Sequence, residues 1–411
     1  IKWNGHSDTE TLLSAISVWG VEESIKRCVG MFAFAIWDKF KHELILGRDR
    51  LGEKPLYYGW QGNTFLFGSE LKALREHPSF LNEINRDALC LFFRHNTIVA
   101  PHSIYKGIYK LLPGSVLYLR KGSSEPIINK YWSIKSVAEN GSSNLFVGNE
   151  KEALISLEHI MLQAVSGQMI SDVPLGAFLS GGVDSSIVTA LMQANSISPI
   201  KTFSIGFSEQ GYNEAEHAKA VAKYLGTDHT ELYVSSSEAL DVIPRLATMF
   251  DEPFSDSSQI PTYLVSSMAK HHVTVALSGD GGDELFAGYN RHFRAKSIWE
   301  RINYLPLPMR KWVSKTMLMV PPQRWNHLYR VLTPFIPAHL QFNLPDNKIQ
   351  KFAEVLAVES PESMYRSLVS HWKDPENIVL GSTEPINILT DSSQFANLSD
   401  FENKMMFQDM V

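Results

Sequence analysis

Cysteine is scarce in this chain: Cys28 and Cys90 are the two thiols in 411 residues. So few cannot frame a disulfide-dense secreted fold, and the usage suits a reducing cytoplasm. Long apolar runs are absent, none approaching the roughly 20 residues of a membrane helix, and no secretory signal is visible. Positive charge is not in excess. With a formal net charge of −6 and scattered basic residues, no nucleic-acid patch forms. The 14 histidines make no HExxH or Cys/His cluster, and His271-His272 reads as a helix cap or surface pair. A Walker A loop is excluded, because no Gly-Lys-Ser/Thr occurs at the required spacing. An initiator Met is lacking too. The chain starts at Ile1 ahead of a Trp3-Asn4-Gly5-His6 turn and stops at Val411 in a helical run, so it reads as the interior of a longer protein.

The length allows two or three domains. From Ile1 to about Ile134 the pattern is mainly β. Gly30 to Trp37 alternates small and large apolar residues, as a strand buried on both faces would, and a polar turn leads to Glu43–Gly47. Short strands follow at Leu56–Trp60, Thr64–Gly68 and Ser115–Arg120, with helices at Thr9–Trp19 and Arg86–Arg94. This grammar predicts a layered αββα sandwich. Ser136 to Asn149, containing Asn-Gly-Ser-Ser-Asn, reads as a linker, which gives domains at 1–135 and 151–411 joined by 136–150. Lys151–Ile170 has a helical apolar period. Strand and helix then alternate from Val173 to Leu277, which implies a parallel sheet covered on both faces, with ligands at the strands' carboxyl ends. Beyond about Ile298 the chain turns aromatic- and proline-rich and helical.

One such strand end carries Leu179-Ser180-Gly181-Gly182-Val183-Asp184-Ser185-Ser186, between the strand Val173–Leu179 and the helix Val183–Ala194. A strand turning through Ser-Gly-Gly into a helix gathers bare N–H groups at the helix's positive end, where a phosphate fits. Gly181 and Gly182 let the backbone approach closely, and Ser180, Ser185 and Ser186 add hydroxyl donors. Asp184 would repel phosphate alone, so it implies an intervening divalent cation, Mg²⁺. The competing reading is a serine- and glycine-rich turn that only caps a helix. The loop resembles the PP-loop of ATP pyrophosphatases, which cleave ATP to AMP and pyrophosphate.

A second loop, Ser278-Gly279-Asp280-Gly281-Gly282-Asp283-Glu284, follows the strand Val273–Leu277. Acidic residues at a helix start complement its dipole, which accounts for Glu284. It does not account for Asp280, Asp283 and three glycines together. Asp283 is expected to join Asp184 around Mg²⁺–pyrophosphate, and Asp280 to take a proton from an attacking amine.

These motifs, with Ser7-Asp8-Thr9-Glu10, Gly30 to Asp38, Gly47 to Tyr58, Gly68 to Leu74 and Asp251-Glu252-Pro253, resemble glutamine-dependent asparagine synthetase over nearly the whole chain. The resemblance implies an N-terminal-nucleophile αββα glutaminase sandwich, incomplete here, followed by a PP-loop α/β synthetase domain. It implies ammonia release from glutamine, passage through a tunnel, activation of aspartate by ATP as β-aspartyl-AMP, and displacement of AMP to give asparagine. Leu179 and Ile205 would hold adenosine through backbone groups, Ser278 and Gly279 would contact the nucleotide, Glu214 would lie near the site, and Asp8 would bind the α-amino group of glutamine. The family's nucleophile is an N-terminal cysteine. Cys28, in a Val-Gly-Met run read as core, and Cys90, on an apolar helix face, read as packing instead. The nucleophile and further glutamine-binding residues are expected before Ile1, and a basic substrate-binding helix after Val411, so this chain alone is expected to lack glutaminase activity. Two other readings remain: the same chemistry on a sugar carboxylate, or a nucleotide-binding scaffold without catalysis. The expected partners are small molecules, with no nucleic acid and no membrane, in the cytoplasm. A homodimer is left open.

Overall fold

The computed structural model describes residues 3–207, 214–319 and 352–411. The sandwich opens with helices α1 (Asp8–Trp19) and α2 (Val21–Arg27) and strands β1 (Ala33–Asp38), β2 (Glu43–Arg48), β3 (Tyr57–Gln61) and β4 (Thr64–Gly68). Helices α3 (Leu71–Arg75) and α4 (Arg86–His95) precede β5 (Ile108–Lys110), β6 (Ser115–Arg120) and β7 (Ile127–Lys130). Two antiparallel sheets result, ordered β1-β2-β6-β7 and β4-β3-β5. Leu46, Leu117 and Leu119 of the first sheet pack on Tyr58 of the second and on Leu56 just before it, forming the inner core. Outside the first sheet, Ile25 of α2 meets Ile45 and Val116. Outside the second, Leu71 and Leu74 of α3 and Ala88 and Leu91 of α4 cover Leu66 and Ile108. The layers therefore run α, β, β, α, because each sheet has two apolar faces to bury.

Several expectations need correction. β1 is an edge strand with alternate residues exposed, not a strand buried on both faces. Cys28 is half-buried beside Val29, which is 91% exposed, so that run is not core. Cys90, by contrast, is buried as expected, with Sγ 2.9 Å from Ser382 Oγ. The stretch read as a linker begins inside helix α5 (Ile134–Ser143). Its polar residues bond back along the helix, Ser143 Oγ to Glu139 O at 2.9 Å and Asn144 Nδ2 to Asn140 O at 2.9 Å, which lets Asn-Gly-Ser-Ser remain helical.

Helix α6 (Glu150–Gln168) starts with a capping box between Asn149 and Glu152. Then come β8 (Leu175–Phe178), α7 (Val183–Ala194), β9 (Lys201–Phe207), α8 (Ala215–Leu225), β10 (Asp228–Val234), α9 (Ser236–Met249), α10 (Gln259–Ala269) and β11 (Val275–Leu277). The four strands form a parallel sheet ordered β10-β9-β8-β11. Val165 of α6 and Met192 of α7 pack on Ala177. Val265 and Ala269 of α10 pack on Phe203 and Val273, with Phe178 and Ile205 against the same cluster. Successive strand residues thus feed opposite helix layers.

Two compact units divide the chain. The first is Ile1–Gly282 with Asp374–Ala396 and Val411; the second is Asp283–Lys373 with Asn397–Met410. Compactness therefore groups the sandwich with the parallel sheet. Within the first unit, Asp374–Ala396 lies along α4: Arg94 forms a bidentate pair with Glu384, with both contacts at 2.5 Å, and Thr383 N donates to Asp87 at 2.8 Å. In the second unit, the helices Asn290–Ile302, Pro361–Val369 and Phe401–Met410 enclose Ala295, Met364, Tyr365 and Met405. Asp409 ties them together by accepting from Arg291, His292 and Tyr365. Of the aromatic- and proline-rich stretch after Ile298, residues 298–319 are largely helical, and residues 320–351 lie outside the described residues.

Candidate functional site

The Ser180 loop leaves β8 at its carboxyl end. Leu179 is buried, its N–H donating to Phe203 O at 2.9 Å, so the loop is pinned to β9 where it begins. Gly181 has φ +81°, and a Cβ there would lie 2.7 Å from Ala218 N and 2.8 Å from the His217 carbonyl carbon. Glycine is therefore required twice, for the left-handed backbone and for the close approach of α8. Gly182 caps α7, and no side chain among the described residues caps that N-terminus. The helix thus presents its positive end at the strand end, as an anion site needs.

The hydroxyls mainly brace the loop. Ser185 Oγ lies 2.9 Å from Ser180 Oγ, Ser180 Oγ accepts from Gly182 N at 3.2 Å, and Ser186 Oγ donates to Gly182 O at 2.6 Å. Ser185 is buried and Ser180 is exposed. Of the three serines, Ser180 is the one most open to an incoming oxygen.

The second loop leaves β11, which pairs directly with β8. A Cβ on Gly279 would fall 2.6 Å from Ser185 N, and one on Gly282 would fall 2.5 Å from Asp184 Cγ. The two glycine-rich loops are therefore nested, with Asp184 lodged against the second. Asp280 is exposed, and its Oδ2 accepts from Ser278 Oγ at 2.9 Å, which orients the carboxylate. Ile205 sits on β9 one strand away. Glu214 is exposed at the start of α8, the helix whose next turn abuts Gly181. His217 and Ala218, which wall this loop, carry no signal in the sequence because they belong to a distant element.

Asp283 belongs to the second unit and lies in the short helix Gly282–Phe286, its carbonyl accepting from Gly288 N at 2.9 Å. Glu284 accepts from the Tyr289 hydroxyl at 2.6 Å. Burial, and then this carboxylate, push the Tyr289 phenol well above its ordinary range. Asp8 is in the sandwich, exposed in the first turn of α1, where its carboxylate accepts from Thr9 N at 2.7 Å. No group of three or more His, Cys, Asp or Glu among the described residues is arranged to hold a metal ion. Mg²⁺ bound through one or two carboxylates plus substrate phosphates needs no such cage, and Asp184 beside the phosphate loop suits that mode.

Within Gly47 to Tyr58, the charged groups of Arg48 and Asp49 are structural. Asp49, 1% exposed, accepts from Phe32, Glu53 and Lys54 N–H groups. Arg48 donates to the carbonyls of Gly52, Lys54 and Leu111.

These features define a two-part α/β protein: a layered αββα sandwich followed by a parallel sheet with two glycine-rich loops at its strand ends. The family model described as asparagine synthase matches residues 156–410, and the one described as glutamine amidotransferase domain matches residues 1–132. The chain belongs to the asparagine synthase family. It is 41% identical over 290 residues to a Methanocaldococcus jannaschii protein assigned to the glutamine-hydrolysing asparagine synthetases, covering 70% of this chain and 54% of that protein. It is 36% identical over 303 residues to glutamine-hydrolysing asparagine synthetase 1 of Bacillus subtilis, covering 73% and 46%. Amidase chry2 of Gibberella zeae is 29% identical over 327 residues, covering 75% and 47%. The chain spans about half the length of these relatives.

Proposed function

We propose that the protein containing this chain amidates aspartate to asparagine, using ATP and ammonia drawn from glutamine. The observation that carries this reading is the nesting of the two glycine loops at the ends of the paired strands β8 and β11. One loop offers a phosphate cradle and the other an oriented carboxylate. Relatives named as glutamine-hydrolysing asparagine synthetases support the acceptor and the ammonia source.

The chemistry needs activation because a carboxylate is a poor acyl donor. An aspartate β-carboxylate oxygen attacks the α-phosphorus of ATP, and pyrophosphate leaves. The backbone of Ser180 to Asp184 and the Ser180 hydroxyl hold the departing phosphates, while Leu179 and Ile205 hold adenosine through backbone groups and Ser278 and Gly279 contact the nucleotide. Asp184 would hold Mg²⁺, which would supply charge neutralisation of the leaving pyrophosphate. Ammonia then attacks the acyl carbon, AMP departs, and Asp280 takes the proton lost by nitrogen. Glu214 stands at the substrate side, and Asp8 binds the α-amino group of glutamine in the sandwich.

Pyrophosphate release by the full-length protein, screened with aspartate against uronic acids, tests the reading. Release with aspartate alone is expected. Release only with a uronic acid assigns sugar-carboxylate amidation, and absence of release with every one of these carboxylates overturns the synthetase reading.

A further inference from the structure

Asp251 and Glu252 sit on the turn between α9 and α10, outside the loops described above. Both carboxylates face the sandwich. Asp251 Oδ2 accepts from Leu71 N at 2.6 Å, and Lys72 Nζ lies 3.4 Å from Oδ1. Glu252 Oε1 accepts from Ile104 N at 2.8 Å, and its Oε2 lies 2.5 Å from Lys110 Nζ. Burial, followed by the charges of Glu252 and Asp251, pushes the nearby Tyr57 phenol well above its ordinary range. The two carboxylates are 11% and 9% exposed. A short distance on, Ser255 N donates to Asn96 O at 2.9 Å.

Two adjacent buried carboxylates repel each other and lose hydration, so each needs compensation. Here each receives one backbone N–H and one lysine, all from the sandwich. On the other side the turn runs into α10, whose Val265 and Ala269 pack with Phe178 and Ile205. Phe178 leads directly into the phosphate loop. Thus a short mechanical path joins β3, α3 and the 104–110 segment of the sandwich to the strand ends of the parallel sheet.

We propose that Asp251 and Glu252 form a positioning clasp that keeps glutamine hydrolysis coupled to acyl transfer. They touch neither substrate. Their role is to hold the sandwich against the parallel sheet so that ammonia made in one is used in the other. This rests on the two-reaction reading above. A clasp acts on the transfer, not on adenylation, so loosening it wastes glutamine while synthesis from free ammonium persists.

The test uses Glu252→Gln, which keeps an acceptor for Ile104 N and removes the charge, and Lys110→Met. In the full-length protein, glutamate and pyrophosphate production are expected to be matched before substitution. Either variant is expected to raise glutamate per pyrophosphate by about fivefold, the scale of a modest coupling energy. Release supported by ammonium chloride is expected to stay within about twofold, as for independent sites. Equal loss of both activities, or unchanged stoichiometry, overturns the proposal. Amide exchange of the 411-residue chain adds a readout independent of activity. Exchange at Leu71 and Ile104 is expected to accelerate about tenfold in Asp251→Ala/Glu252→Ala, with Leu117 unchanged, as local opening predicts. Unchanged exchange at both amides overturns the clasp, even if the unsubstituted protein releases no pyrophosphate; the latter result refutes the synthetase reading alone.

Discussion

Gly181 is the most restrained glycine of the Ser180 loop. An alanine there would combine a positive φ with contact against the backbone of His217 and Ala218. Gly181→Ala is expected to lower stability by about 2 kcal/mol and to abolish pyrophosphate release. Gly281, with φ +90° and open space within 4 Å of where a Cβ would stand, provides the contrast: Gly281→Ala should cost only about 1 kcal/mol of conformational strain. Urea denaturation of both variants checks this, and equal costs would contradict the role given to α8. The Ser-Gly-Gly pattern was legible in sequence because a strand-turn-helix has few ways to use two glycines. Its wall was not, since His217 reaches the loop only through the fold.

His229 gives the chain a titratable feature outside the site. Thr202 Oγ1 lies 2.9 Å from its Nδ1 and Ser204 Oγ lies 3.2 Å from Nε2. Burial lowers the pKa, outweighing Glu231, 3.9 Å away, which would raise it. A depressed histidine pKa means that the unfolded chain binds the proton first on acidification. The stabilisation is present above the unfolded value of 6.5 and is lost as pH falls towards the folded value. His229→Gln is expected to flatten the stability profile below that point. An unchanged slope between pH about 6.5 and 5 would contradict it.

At the scale of elements, helices and strands with local signals were the readable part. Helix α6 shows both the strength and the limit of such signals. Its start is written in Asn149 and Glu152, and Asn149→Ala is expected to cost about 1 kcal/mol with the fold unchanged, measurable by thermal unfolding. The apolar period along α6 was also legible, yet only Val165 is buried while Leu154 and Ile155 are 60% and 58% exposed. Periodicity tells which face a helix offers, not whether anything covers it. The same limit explains β1, whose alternating pattern suits a strand but cannot state that it lies at a sheet edge. Helix α5 failed differently: Asn-Gly-Ser-Ser is turn-prone, and back-bonding to Glu139 and Asn140 overrode that preference.

For the whole molecule, the decisive contacts join residues far apart in sequence and had no local signature. Asp374–Ala396 returns to the first unit and lies along α4, where Arg94 and Glu384 are 9% and 13% exposed. Glu384→Ala leaves a guanidinium with a reduced set of partners in a nearly dry setting and is expected to cost about 3 kcal/mol. A cost near that of an exposed pair, about 0.5 kcal/mol, would show that the returning segment is not a structural strap. Asp251 and Glu252 were legible only as part of a resemblance; their engagement with Leu71, Ile104 and Lys110 emerges from the assembled fold.

The central claim is that the nested Ser180 and Asp280 loops build one adenylating site for a carboxylate. The most direct measurement supplies the full-length protein with aspartate labelled with ¹⁸O in its β-carboxylate, together with ATP and glutamine, and weighs the AMP formed. Attack of the carboxylate on the α-phosphorus followed by amide formation predicts AMP carrying one oxygen from aspartate. AMP without the label, formed alongside asparagine, would contradict the account.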